Sequence, residues 1–191
     1  MLFIEVMTPQ GTLTEQERQA LAGRLTARRL LAGTHDAVDP GVLGLLDSLT
    51  SVVVREERIW TAGAVDPSRY VVNVTVGVWG KEMSEHLVTR ISAELADAGA
   101  DAVVNVIGVP EGGYGLRGRV RRSPDMLDLI EQSRTGSAAP VPEGMVVDPV
   151  CGATLPVEDA VWLERDGRTY GFCCPHCRGH FAKRLRERAD A

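Results

Sequence analysis

The sequence predicts an α+β fold in two parts. One is a body of two β-α-β units that share one sheet, with two helices on one face. The other is a small cysteine-rich tail of β-hairpin and helix. Apolar β-branched runs alternate with helical periodicity in the body, and all four cysteines lie in the tail. The stretch SRTGSAAPVPEG between them is rich in small residues, Pro and Gly. We therefore expect a body over 1–132, a flexible linker over 133–144 and a metal-binding domain over 145–191.

The first β-α-β unit opens with the apolar run Leu2 to Val6 and the turn TPQG. Thr14 and Glu17 have the S/T-x-x-E spacing of a capping box, which predicts a helix from there to about Leu31. The run TSVVVREERIW, residues 50–60, predicts the second strand of the unit.

A short helix should begin between these two parts of the first unit, at Asp39, with Pro40 in its first turn. The second unit then predicts a strand over 69–79, a helix over about 82–98 and a strand over 102–109. A Gly-rich hairpin and a short helix that begins with Ser-Pro follow.

The crossover in each unit implies that its two strands are parallel and joined by a right-handed connection. Helices on one face would leave the other face of the sheet uncovered. We expect that uncovered face to be apolar and to promote oligomerisation. The residues expected on it are Val52, Val54, Val72, Val74 and Val76.

Composition excludes several classes of protein. Hydrophobic residues make up 44% and charged residues 25%, as in a folded globular chain. The net charge of −5 argues against a nucleic-acid-binding surface. No apolar run approaches the roughly 20 residues that cross a bilayer, so no membrane insertion is expected. The N-terminus lacks the features of a signal peptide, which predicts a cytoplasmic protein with reduced thiols.

Three stretches of the body, MLFIEVMTPQGTLTEQERQALAGRLT, LTSVVVREE and GGYGLRG, resemble the tautomerase superfamily, with the two-unit length of the migration-inhibitory-factor type. The resemblance implies a homotrimer. Members of that superfamily act through an N-terminal proline, and Leu2 stands here instead. Catalysis is therefore not the leading expectation. The enzymatic alternative would use the Met1 amine as a base, with Arg55 and Arg117 binding a carboxylate substrate.

The tail spaces its cysteines as a metal site does. Cys151 is followed by Cys173 and then Cys177, and Cys174 forms C-x-x-C with Cys177. Two β runs flank Asp-Gly, which predicts a hairpin, and a helix-prone segment follows the last cysteine. Thiolates at a helix N-terminus have lowered pKa values, and sulfur-rich sites select soft ions such as Zn(II) and Cu(I) over Mg(II) and Ca(II). His180 is three residues beyond Cys177 on that helix and is a further candidate ligand.

The motifs DPVCG, Y-x-F-C and C-x3-C of the tail resemble the YHS domain, which is related to TRASH-type heavy-metal modules. The resemblance implies that Cys151, Cys173 and Cys177 are the motif cysteines and that Cys174 is a variable position. It also implies one soft metal ion per chain, with Zn and Cu ahead of Hg. The family's namesake histidine has no counterpart, because Gly171 lies between Tyr170 and Phe172.

These observations lead to three functional hypotheses. The first is a cytoplasmic protein that handles a soft metal on a trimeric scaffold, with a metal-transport or metal-resistance protein as candidate partner. The second is a tautomerase-type enzyme that acts on a small keto- or halo-acid through the Met1 amine. The third is a zinc-stabilised interaction module, because a tail this short can bury little core without a metal.

Overall fold

A computed structural model describes residues 1–31, 38–61, 69–77, 80–136 and 141–189, with the side chains of 80–82 left out. None of the described helices combines the length and the apolar composition that crossing a bilayer requires. The helices and strands follow in chain order: β1 (Leu2–Pro9), α1 (Glu15–Arg24), α2 (Ala27–Leu30), α3 (Pro40–Ser48), β2 (Thr50–Glu57), β3 (Tyr70–Val76), α4 (Gly80–Ala96), β4 (Ala102–Gly108), β5 (Tyr114–Leu116), β6 (Arg119–Arg121), α5 (Ser123–Ser133), β7 (Met145–Val147), β8 (Thr154–Pro156), β9 (Val161–Arg165), β10 (Arg168–Phe172) and α6 (Pro175–Ala189).

The chain divides into two compact units. The first contains Met1–Leu30 and Leu46–Val120, and the second contains Leu31–Leu45 and Arg121–Ala191. The division differs from the expected boundary at residue 132. The chain segment with the start of α3 and the helix α5 are both grouped with the cysteine-rich residues.

A four-stranded sheet in the order β2-β1-β3-β4 forms the centre of the first unit. Strands β1 and β2 are parallel, β3 and β4 are parallel, and the two pairs meet along the antiparallel contact of β1 with β3. Helix α1 packs against β2 and helix α4 against β4. This arrangement confirms the prediction of two β-α-β units on one sheet.

The predicted capping box is present at the start of α1. The Thr14 hydroxyl accepts a hydrogen bond from the Glu17 amide at 3.3 Å, and the Glu17 carboxylate accepts one from the Thr14 amide at 2.7 Å. The helix ends earlier than the sequence predicted, at Arg24, and a separate short helix α2 follows. Gly23 lowers helix propensity in this last turn, and the Thr26 carbonyl accepts the amides of Arg29 and Leu30, the last two residues of α2.

The sheet exposes the opposite set of side chains from the predicted one. Val72, Val74 and Val76 are buried, and in the strand register Val52 and Val54 lie beside buried Ile4 and Val6 on that same face. The expectation that these five valines form the uncovered face is therefore wrong. Strand alternation alone could not assign the face, because both faces of these strands carry apolar residues. The uncovered face instead includes Phe3, Val53, Val103 and Ile107.

Two small antiparallel pairs, β7 with β8 and β9 with β10, organise the second unit. The β9–β10 hairpin turns at Asp166 and Gly167, whose φ angles are +52° and +70°, which confirms the Asp-Gly turn that the sequence predicts. The ring of Phe181 on α6 lies 4.9 Å from that of Tyr170 and 5.4 Å from that of Phe172. These ring contacts pack α6 against the β9–β10 hairpin.

The stretch predicted as a linker begins in ordered structure. Ser133 belongs to α5, and Thr135 donates from its amide and its hydroxyl to the Asp39 carboxylate, at 3.0 and 3.2 Å. The same oxygen accepts the Gly41 amide at 2.8 Å and so caps α3. Burial disfavours the charge of Asp39, but these hydrogen bonds outweigh it and lower the pKa of the carboxyl. Residues 137–140 of the predicted linker lie outside the described residues.

Candidate metal centre

Three cysteines from distant parts of the tail meet in the second unit. Cys151 lies in the loop between β7 and β8, Cys173 directly follows β10, and Cys177 lies in the first turn of α6. The Sγ atoms of Cys151 and Cys173 are 3.5 Å apart, and those of Cys173 and Cys177 are 3.8 Å apart. The structure thus brings together the three cysteines that the sequence assigned to one site.

A buried carboxylate, Asp148, completes this group. One of its oxygens and the three sulfur atoms all lie within 4.8 Å of one another. Its Oδ1 accepts the amides of Val150 at 2.7 Å and Cys151 at 3.2 Å, and its Oδ2 accepts the amide of Cys173 at 2.9 Å. Asp148 therefore ties the backbone of one ligand to the backbone of another. Asp148 was not predicted as a site residue, and its position in the DPVCG motif was the available signal.

Hydrogen bonds among the three sulfurs shift their pKa values in opposite directions. The thiols of Cys173 and Cys177 hydrogen-bond to the sulfur of Cys151, which lowers the pKa of Cys151 well below that of a free thiol. The same bonds raise the pKa of Cys173 and of Cys177, because each must keep its proton in order to donate. Burial, with the nearby Cys151 thiolate, raises the pKa of Asp148 to about 6. The hydrogen bonds among these sulfurs therefore make Cys151 the most acidic of the three.

The spacing of the sulfur atoms fits a metal ion. Sulfurs bound to one ion at about 2.3 Å with tetrahedral angles lie roughly 3.8 Å apart. The two measured separations, 3.5 and 3.8 Å, are close to that value. Little movement of the ligands would be needed for them to close on an ion.

Among the described residues, the group of mutually close ligand atoms includes neither Cys174 nor His180, although the Cys174 sulfur hydrogen-bonds with those of Cys173 and Cys177. Cys174 is buried directly before α6. His180 is also buried, and its Nε2 lies 3.2 Å from a Glu131 oxygen and 3.6 Å from an Asp128 oxygen on α5. Because a carboxylate can only accept, this nitrogen donates to Glu131.

Two glycines shape the loops around the site. Gly152, directly after Cys151, has a φ of +72°, and a β-carbon there would lie 2.8 Å from the β-carbon of Asp39. Gly171 lies between Tyr170 and Phe172 on β10, and a β-carbon there would lie 2.7 Å from Val146 on β7. The close packing of β10 on β7 therefore leaves no room for a side chain at residue 171.

The residues of the enzymatic alternative belong to the first unit. Burial lowers the pKa of the Met1 amine, which favours its neutral form. The Arg55 guanidinium on β2 pairs with the Glu5 carboxylate on β1 at 2.6 Å. Arg117 lies in the turn between β5 and β6 with a φ of +53°. The ion pair with Glu5 engages the arginine that would have to bind a substrate carboxylate.

We expect Asp148→Asn to weaken both the second unit and its metal binding. The amide nitrogen of Asn would face at least one backbone N–H, and a buried donor left unpaired costs about 1–3 kcal/mol. Loosening the backbone of two ligands should also lower metal affinity by about 10–100-fold. Thermal unfolding and competitive metal titration measure the two effects. The exposed Asp159→Asn is the matched control, and equal behaviour of the two variants would contradict the role of Asp148.

No protein-family model and no curated protein matches the chain. Solved structures similar to it include a native fused 4-OT (20% identity, TM-score 0.48, covering 62% of this chain and 94% of that one). They also include N1, a member of the cis-3-chloroacrylic acid dehalogenase family (16%, 0.47, 69% and 94%). A third is a probable enzyme from the thermophilic fungus Aspergillus fumigatus (19%, 0.47, 63% and 83%). Likeness at this level does not tell what this chain binds or turns over.

Proposed function

We propose that the second unit binds one soft metal ion per chain through Cys151, Cys173 and Cys177 and holds it as transferable cargo. The observation that carries the proposal is the group of three close sulfur atoms beside the Asp148 carboxylate. The four cysteines, all of them among the described residues, form no disulfide, which suits a reducing compartment such as the cytoplasm. A metal-transport or metal-resistance protein would donate or receive the ion.

The set of ligands favours an open site that can pass on its metal ion over a closed site that holds a structural ion. Structural zinc sites are closed by four protein ligands, whereas sites that exchange a ligand keep one position open. Among the described residues, the fourth member of the group is Asp148, whose oxygens already accept three backbone amides. Cys151 and Cys173 are only half-buried, so an incoming ligand can reach them. A partner thiol could therefore enter the site without unfolding it.

Sulfur chemistry narrows the cargo to thiophilic ions. Thiolates select Cu(I), Zn(II) and other soft ions, and hard cations such as Mg(II) and Ca(II) prefer oxygen. Three sulfurs suffice for Cu(I) or Hg(II), while Zn(II) would take its fourth ligand from solvent or a partner. We expect Cu(I) and Hg(II) to bind most tightly and Zn(II) to exchange readily.

Metal titration of the reduced full-length protein tests this function. Cu(I), Zn(II) and Hg(II) are added in competition with chelators of known affinity, and bound metal is counted by mass spectrometry. One ion per chain with submicromolar affinity supports the proposal. A Zn(II) ion that exchanges slowly and whose removal unfolds the second unit would favour the interaction-module alternative. No submicromolar binding of any of the three ions would refute metal handling.

We also propose that the uncovered face of the sheet joins copies of the chain into the homotrimer expected from the sequence. Phe3, Val53, Val103 and Ile107 on this face are between 36% and 50% exposed, which is unfavourable for apolar side chains in water. Glu5 and Arg55 lie side by side on the same face, so two copies could exchange opposite charges. The uncovered face of one copy is therefore chemically suited to pack against the same face of another copy.

Val53→Glu should dissociate this assembly. The substitution places a carboxylate on strand β2, among the apolar side chains of the uncovered face, where burial of an unpaired charge between copies is costly. Light scattering after size exclusion should show a trimer for the unaltered protein and a monomer for the variant. Val157→Glu makes the same change at an exposed valine of the second unit and should leave the mass unchanged. A monomeric unaltered protein would overturn the assembly.

A further inference from the structure

Helix α5 connects the two halves of the metal centre. Glu131 lies in the last turn of this helix, and Arg134, three positions later, is its C-cap residue. Arg134 directly follows the last residue of α5 and contacts the loop that carries Cys151. Glu131 contacts α6, the helix that carries Cys177.

Arg134 holds the Cys151 loop from one side. Its guanidinium donates to the carbonyl of Pro149, two residues before the ligand. Directly after the ligand, a β-carbon on Gly152 would lie 3.2 Å from the Arg134 Nε. The guanidinium therefore lies close against the loop on either side of Cys151.

Glu131 holds α6 from the same helix. One of its carboxylate oxygens accepts from His180 Nε2 at 3.2 Å and pairs with the Arg184 guanidinium. His180 and Arg184 lie one turn apart on α6, beginning three residues after Cys177. The buried His180 side chain and the ion pair set the rotation of α6 about its axis, and with it the direction of Cys177.

The other two pairs of cysteine ligands are connected without helix α5. Cys173 and Cys177 are close in sequence, across the start of α6. Cys151 and Cys173 share the Asp148 carboxylate through their amides. Cys151 and Cys177 are linked through α5.

The cluster of Asp128, Glu131 and His180 could itself be considered a cation site, since its ligand atoms lie within 4.8 Å of one another. Arg184 already supplies a positive charge to Glu131, and His180 Nε2 donates its proton instead of offering a lone pair. The contacts of this cluster therefore join helix α5 to helix α6 and leave its polar atoms already paired.

Resting on the proposed metal binding, we propose that Glu131 and Arg134 are positioning residues of the metal centre. Together they set the separation and orientation of Cys151 relative to Cys177. The metal-binding unit then extends back to Ser123, well before residue 145. This agrees with the grouping of Arg121–Ala191 in one compact unit.

Glu131→Ala and Arg134→Gln in the full-length protein test the proposal with Hg(II) and Cu(I). Loss of an outer-shell contact that orients a ligand lowers metal affinity about 10–100-fold. We expect a loss of that size in each variant, together with a shifted thiolate-to-metal charge-transfer band of the Hg(II) complex. Glu131→Gln keeps an acceptor for His180 and should recover part of the affinity and most of the band position.

Glu187→Ala is the matched control, because it removes the same charge from an exposed ion pair with Lys183 on α6. It should change neither the affinity nor the spectrum. A variant that is merely less stable would lose affinity with an unshifted band, and that result would overturn the positioning role. Equal affinity in Glu131→Ala and the unaltered protein would overturn it too. Failure of the unaltered protein to bind metal would instead refute the proposed function.

Discussion

Cys177→Ser is expected to lower the affinity for Cu(I) and Hg(II) by at least about a hundredfold. Structural zinc sites gain roughly 10–16 kcal/mol from four ligands, or about 3 kcal/mol for each, and 1.4 kcal/mol is a factor of ten. Cys177 is 1% exposed, so solvent cannot easily replace its sulfur. The serine hydroxyl is a poor ligand for soft ions. Competition with a chelator of known affinity measures the loss.

Cys174→Ser is the matched control for that experiment. Cys174 is three residues away and also buried, but its sulfur is not a member of the group formed by the described ligand atoms. The variant should keep one ion per chain with affinity within a few-fold of the unaltered protein. If both serine variants lost binding equally, Cys174 would be a fourth ligand, and the site would be closed instead of open.

Metal affinity is also expected to fall steeply as pH falls. Hydrogen bonds to Cys151 and to Cys174 raise the pKa of Cys173 and Cys177, so both thiols carry protons at pH 7, whereas the hydrogen bonds that Cys151 receives lower its pKa. Binding must therefore release two protons. Each released proton weakens apparent affinity about tenfold for every unit by which pH is lowered. The expected change is about a hundredfold between pH 7 and pH 6.

Calorimetric titration in buffers of different ionisation enthalpy counts these protons directly. The unaltered protein should release about two protons for each ion at pH 7, and Cys177→Ser should release about one. Release of no protons would show that all three sulfurs are already thiolates. That result would contradict the hydrogen-bonded arrangement around Cys151, even if the metal still bound.

Local signals in the sequence predicted much of the fold. The Thr14–Glu17 capping box, the Asp166-Gly167 turn and the strand patterns all correspond to features of the structure. Each depends on residues a few positions apart, so their effect on the backbone is decided locally. The uncovered face of the sheet was assigned wrongly, because Val52 and Val53 are equally apolar and only the packed helices distinguish the two faces.

The sequence by itself determined that the chain has two parts, that its body alternates strands and helices, and that Cys151, Cys173 and Cys177 are candidate soft-metal ligands. Only the tertiary structure showed that Asp148 joins two of those ligands and that His180 turns away to Glu131. The physical reason is that these contacts cross 25 and 49 residues of chain. Spacing along a sequence reports which groups share a turn, whereas burial and long-range hydrogen bonds arise only when distant segments pack.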